Sequence, residues 1–209
     1  MTTDRRDALV QRLFETSLGA MELGAVYLGI RLGLYEALAR LGGATAAQLA
    51  TATKTNASYV REWLEQQAVA GMLDAGADAD GDARRYTLPA GHDEVLLDPN
   101  SLNCFAPVVR FVIGALPMTS RLLDAFRTGD GIPWSAYGPD VIEGQAGQNR
   151  AAFLSLLGQE WLPAIPEAHA RLIADPPARV ADIACGGGWS SIGIARAYPN
   201  VRVDGFDLD

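Results

Sequence analysis

Two carboxylates and three consecutive glycines near the C-terminal end are the residues of this sequence best suited to chemistry. Asp182 lies near the end of a short apolar run, Val180–Ala184, and is followed by Cys185 and then Gly186, Gly187 and Gly188. Ser190 to Tyr198 carries apolar residues at helical spacing up to Pro199-Asn200, and Val201 to Asp207 alternates apolar and polar residues, as a strand does. Glycine, lacking Cβ, lets a loop bend in ways closed to other residues and lets a ligand lie against bare backbone. The start of the helix behind it points unsatisfied N–H groups at that ligand. Asp207 stands 19 residues after Gly188, at the tip of the second strand, where a carboxylate can accept from both ribose hydroxyls of an adenosine. Strand, glycine loop, helix, strand and acid make the first half of a nucleotide-binding βαβ unit, so an adenosine-containing cofactor is expected.

Two cofactors compete for that loop. A dinucleotide fingerprint asks for Gly-x-Gly-x-x-Gly or Ala; Gly186 and Gly188 fit, but the third position is Ser191. A carboxylate just before the loop also suits a doubly anionic pyrophosphate poorly. It suits S-adenosyl-L-methionine better, since that molecule carries a sulfonium and an ammonium and no phosphate. The stretch Asp182-Ile183-Ala184-Cys185-Gly186-Gly187-Gly188 resembles motif I of class I S-adenosylmethionine-dependent methyltransferases, Asp/Glu-x-Gly-x-Gly-x-Gly, with Ala184 in place of the first glycine. Gly205-Phe206-Asp207-Leu208-Asp209 is similar to the second motif of that family. The resemblance implies cofactor contacts from Asp182, Ala184, Gly186 and Gly188, Asp207 on the ribose, and Leu208 packed on the adenine. Cys185 is read as a small loop residue, not a nucleophile.

Composition narrows the setting. The net charge of −8 over 209 residues disfavours nucleic acid and anionic membranes as partners. Cys104 and Cys185 are too few for a disulfide framework and fit a reducing cytosol. No signal peptide is visible, and Glu22 and Arg31 interrupt the apolar stretch Ser17–Leu34, so no membrane span is read there. A cytoplasmic location is expected.

The elements that must carry the loop begin with an amphipathic helix from about residue 7, with Val10, Leu13, Phe14, Ser17 and Met21 on one face. Gly19, Gly24, Gly29 and Gly33 recur through its continuation, which implies close backbone approach to a neighbouring helix or to a second subunit. A short helix runs to Gly42-Gly43; Thr45 with Gln48 forms a capping box; Asn56 caps a further helix whose buried stripe is Val60, Trp63 and Leu64. A strand from Gly71-Met72-Leu73, a turn over 78–82 and a return strand over 85–88 complete a winged helix in an expected domain 1–98. That domain holds 9 Lys and Arg against 14 Asp and Glu, a balance that opposes phosphate contacts. The same arrangement precedes the catalytic domain in small-molecule methyltransferases of bacteria and plants, and the order of elements resembles the bacterial branch along essentially the whole chain. That resemblance implies a homodimer formed through the N-terminal domain.

Between the two ends, residues 99–177 are expected to form a helical connector, with a short helical exit near His92 before it. Pro107 and Pro117 should kink or split helices within 102–127. Gly129 to Pro139 is expected to be irregular, and its Trp134 and Tyr137 are either anchors pinning the loop or walls of a substrate pocket. The anchor reading is preferred, and the resemblance keeps the pocket reading alive. Asn149 to Trp161 is expected to be a helix with Phe153, Leu156, Leu157 and Trp161 on one face, followed by a last helix over 167–174.

The expected fold is therefore α/β but mostly helical, with residues 178–209 beginning a Rossmann-like domain. A domain of that family has a larger parallel sheet than two strands. The expectation is an N-terminal piece of a longer enzyme, one that binds S-adenosylmethionine weakly or not at all and shows no turnover. His92 and His169 stand alone, no metal-ligand spacing is present, and no catalytic base is assigned. The competing readings are an NAD-type oxidoreductase and a non-enzymatic winged-helix DNA-binding regulator.

Overall fold

A computed structural model describes residues 2–77 and 81–208. The chain divides between Leu97 and Asp98 into two compact units.

The first unit opens with α1 (Thr2–Arg31), which starts at residue 2 rather than near residue 7 and runs unbroken through the glycine-containing stretch. A Cβ built at Gly19 or Gly24 would meet nothing, whereas at Gly29 it would strike the rings of Tyr35 and Trp63. Of the two contacts the glycine spacing implied, the intrachain one thus exists only at the C-terminal end of α1. Gly33, in the left-handed region at φ 67°, turns the chain into α2 (Leu34–Leu41), and Gly42 closes that helix in the same conformation. The expected capping box is present: Thr45 accepts from the Gln48 backbone and the Gln48 side chain accepts from Thr45 N, opening α3 (Ala46–Thr53). Asn56 accepts from the backbone N–H groups of Ser58 and Tyr59 to open α4 (Ala57–Val69).

The wing is shorter than expected. The N–H groups of Met72 and Leu73 both donate to Gln67 O, which extends the helix exit, so β1 is only Asp74–Ala75, antiparallel to β2 (Tyr86–Thr87). Ala44 forms a further bridge to Tyr86. Gly81–Ala83 is a 3₁₀ turn; Asp78, Ala79 and Asp80, the rest of the expected turn, lie outside the described residues. The core is made by Leu34, Tyr35, Leu38, Leu49, Val60 and Leu64. Among the described residues the one fully buried polar residue is Gln67, which accepts from the Tyr35 hydroxyl, and burial raises that phenol's pKa above its ordinary value. α5 (His92–Leu97) ends the unit.

In the second unit the prolines act as expected. Pro107 sits in the first turn of α6 (Ala106–Ala115), where its missing N–H removes no helical bond. Pro117 lies in a 3₁₀ turn, Leu116–Met118, that separates α6 from α7 (Thr119–Thr128). Among the described residues, Ala106–Thr128 is long and apolar enough to cross a membrane by length and composition alone. The expected helix over 149–161 is not one α-helix. α8 begins at Pro139 and runs to Ala152, and Phe153–Trp161 continues as a π-helix. The wider winding changes which side chains share a face. Phe153 meets Trp161 edge to face at 6.2 Å, while Leu157 joins a different cluster with Ala178, Ile194, Tyr198 and Val201. α9 (Pro166–Leu172) then leads to β3 (Arg179–Ile183), α10 (Trp189–Ala197) and β4 (Arg202–Phe206). β3 and β4 pair in parallel, Arg179 opposite Arg202 through Ile183 opposite Phe206. The helices of 99–177 and this βαβ element lie in the same compact unit.

Candidate cofactor-binding site

The glycine loop occupies the gap between the end of β3 and the start of α10. β3 stops at Ile183 because Ala184 turns left-handed, at φ 61°, a conformation that costs a residue with a Cβ roughly 1–2 kcal/mol. Gly186 and Gly188 share that region at φ 52° and 75°, and Gly188 N donates to Cys185 O to close the turn. In β3 the residues alternate between exposed and half-buried positions, and Asp182 falls on the same face as Val180. It is thereby aimed at α10, where its Oδ2 accepts from the hydroxyls of Ser190 at 2.6 Å and Ser191 at 2.7 Å. Ser191, which departs from the dinucleotide fingerprint, therefore has a specific use. It ties the first helical turn to the strand acid.

Asp207 reaches back to the same loop from the end of β4. Its Oδ2 accepts from Gly186 N at 2.7 Å and its Oδ1 from Leu208 N at 2.8 Å. Two strand ends thus converge on one bend. The bend opens into a cavity of about 560 Å³, lined by Asp182, Ala184, Cys185, Gly186 and Asp207 on the loop side. α8 and the π-helix supply the opposite wall, with Glu143, Asn149 and Phe153 among the side chains that face it. Trp189 completes the wall next to the loop, and the Arg150 guanidinium stacks over its indole at 4.3 Å.

The expected site residues divide in the structure. Asp182, Ala184, Gly186 and Asp207 line one cavity, and Gly188 shapes the loop without lining it. Leu208 is fully exposed and lies outside the cavity lining. Of the aromatic pair, Trp134 lines the cavity, whereas Tyr137 does not and instead packs on Trp134 at 5.5 Å. One ring is a wall and the other its support. Glu143, Asn149 and Phe153 sit on helices where no local motif marks them as cavity residues, whereas Trp189 stands directly after the third glycine. His169 Nδ1 lies 3.0 Å from the Tyr198 hydroxyl and His92 Nδ1 lies 3.0 Å from Met72 O, and neither ring lines this cavity.

The charge of the lining is one-sided. Glu143, Asp182 and Asp207 contribute carboxylates, and among the described residues no lysine, arginine or histidine lines the cavity. A pyrophosphate would meet three anions, while the neighbouring cations are already engaged, Arg110 with Glu143 and Arg150 over the Trp189 ring, and like charges repel strongly at short range. A cationic, phosphate-free ligand meets complementary charge.

Comparison with known proteins agrees with this architecture. Residues 19–97 match the family described as the Rv2258c-like winged HTH domain. No match to a curated protein was found. Among solved structures, the mitomycin 7-O-methyltransferase MmcR superposes with a TM-score of 0.67 at 24% identity, over 98% of this chain and 60% of that one. PigF, solved with SAH, gives 0.59 at 23% identity, over 95% and 66%. Human N-acetylserotonin methyltransferase, solved with SAM, gives 0.59 at 18% identity, over 96% and 59%. The chain therefore spans about 60% of the length of the first of these structures. It has the fold of these chains: an N-terminal winged helix, a helical segment and the opening βαβ element of a Rossmann-like domain.

Proposed function

We propose that the protein is an S-adenosylmethionine-dependent methyltransferase acting on a small-molecule acceptor. One observation carries this reading: the glycine-loop cavity is lined by three carboxylates and by no cationic side chain. The fold likeness to methyltransferases solved with SAM and SAH supports it. The residues present fit that cofactor. Asp207 would accept from the ribose hydroxyls, and its bonds to Gly186 N and Leu208 N hold the carboxylate in place for that. Asp182, with one oxygen held by Ser190 and Ser191, would face the ammonium group of the amino-acid end. When bound, S-adenosylmethionine supplies a methyl group on a sulfonium, open to in-line attack by an acceptor nucleophile. The chain's own contribution is positioning, which can supply much of the acceleration of such a transfer. Trp134, Phe153 and Trp189 wall the cavity and would limit water there.

The reading extends to a cytoplasmic homodimer formed through the N-terminal domain. Leu9, Val10, Leu13, Phe14, Leu18 and Met21 are exposed along α1, and Gly19 and Gly24 have open space at the Cβ position, both of which suit a second subunit. Nucleic acid is disfavoured by the acidic balance of residues 1–98.

Thermal melts separate the cofactor readings, because a ligand bound at a hundred times its Kd stabilises the folded state by about 2.7 kcal/mol. Because the expected affinity is weak, the ligands are used at millimolar concentration, where S-adenosylmethionine and S-adenosylhomocysteine should raise Tm while NAD leaves it unchanged. Protection by NAD alone would overturn the proposal.

A further inference from the structure

Glu143 stands apart from the other two acids of the cavity. Asp182 already holds two serine hydroxyls, and Asp207 holds two backbone N–H groups. Glu143 takes a single side-chain partner, Arg110, whose Nη2 donates to its Oε2 at 2.6 Å. Arg110 is shared. It also pairs with Asp140 at 2.9 Å, one turn earlier on α8, so the three side chains together keep a charge of −1. Arg110 lies outside the cavity lining, and its side chain is only 20% exposed, whereas that of Glu143 is 60% exposed. A braced carboxylate is thus presented from α8, with Oε1 left for a donor. Around it the wall is Trp134, Ile142 and Phe153, with Gln145 and Asn149 as neutral polar groups.

We propose that Glu143 is a specificity-determining residue, selecting a flat, largely apolar acceptor that presents an N–H or O–H donor or a positive charge and rejecting one that carries a carboxylate or phosphate. The inference rests on the methyltransferase reading only in taking the second occupant of the cavity to be the methyl acceptor. Arg110 is a positioning residue for Glu143. Holding the carboxylate through one oxygen removes rotamer freedom that a ligand would otherwise have to freeze. Sharing Arg110 with Asp140 prevents full neutralisation of Glu143. A ligand anion would have to desolvate beside that carboxylate without a compensating donor, the arrangement by which sites exclude the wrong partner.

Two phenols of similar shape and opposite charge test this: 4-hydroxyphenethylamine and 4-hydroxyphenylacetate, titrated against the protein by ligand-observed NMR. The wild type should bind the amine about tenfold more tightly, as a hydrogen bond to a charged group implies. Glu143→Gln should cut that preference to about threefold by removing that charge, the remainder belonging to Asp182 and Asp207. Asp140→Asn, which alters no cavity-lining side chain, should give an intermediate ratio by leaving Arg110 to neutralise Glu143 alone. Equal binding of the two probes by the wild type overturns the proposal, and so does an unchanged preference in folded Glu143→Gln. Should Glu143→Gln fail to fold, the wild-type ratio and Asp140→Asn decide the matter, and an unchanged ratio in Asp140→Asn counts against it. S-adenosylmethionine titrated separately into the wild type reports on the cofactor reading. Probe selection without S-adenosylmethionine binding would sink that reading and leave this one standing, and the reverse result would do the opposite.

Discussion

The two units solve the problem of burial differently. The winged helix wraps three short helices around a compact cluster in which Leu34, Tyr35, Leu38, Leu49 and Leu64 are almost wholly enclosed. The second unit buries less at any one place. Val109 and Val141 close the contact between α6 and α8, and Ala178, Ile194, Tyr198 and Val201 close that around the βαβ element. Ile183 and Phe206, paired across β3 and β4, remain 72% and 55% exposed. The first unit is held by large side chains in a shared core, the second by close backbone approach and by polar ties around a loop. Stability and site have been placed in different halves of the chain. Each half carries one left-handed residue with a Cβ, Lys54 at the end of α3 and Ala184 in the glycine loop, and only the second borders the cavity.

Three substitutions would test that contrast. Leu64→Ala removes a fully enclosed side chain from the first unit and should cost about 3 kcal/mol. Hydrogen exchange should show protection lost over residues 34–67 and kept in α10. Equal loss in both units would erase the distinction. Gly193→Ala asks the same of the second unit. A Cβ there would run into the backbone carbonyl of Phe153 at the start of the π-helix, an overlap expected to cost about 2 kcal/mol. Urea denaturation should show this loss, and a neutral result would mean that α10 and the π-helix can part freely. The smallest effect, and the only gain, belongs to Ala184→Gly. Relieving a left-handed alanine at φ 61° should stabilise the second unit by about 1 kcal/mol. A drop in Tm would show that the loop is not strained.

Most of the first unit was legible because its signals are local. Thr45 and Asn56 cap the helices they precede, Gly42 ends α2, and Val60, Trp63 and Leu64 share the buried side of α4, each a consequence of chemistry within a few residues. The glycine loop was legible for the same reason. Errors came where local rules allow several outcomes. Helical periodicity could not tell an α-turn from the π-winding of 153–161, since apolar spacing suits both until the neighbouring helix is in place. The spacing of glycines along α1 looked uniform, yet only Gly29 touches neighbouring rings.

What the order of residues settled is the backbone's local direction: where helices start and stop, where the chain can bend past Asp182, and that an acid follows the second strand. These follow from dihedral preferences and from side chains reaching backbone groups a few positions away. What only the folded chain decided is which distant groups share a space. Glu143 meets Arg110 thirty-three positions away, Asp207 closes on Gly186 from twenty-one away, and Leu208 lies outside the cavity beside which Trp134 stands. Such pairings depend on how whole helices and strands pack, and burial fixes them without leaving a periodic trace in the sequence.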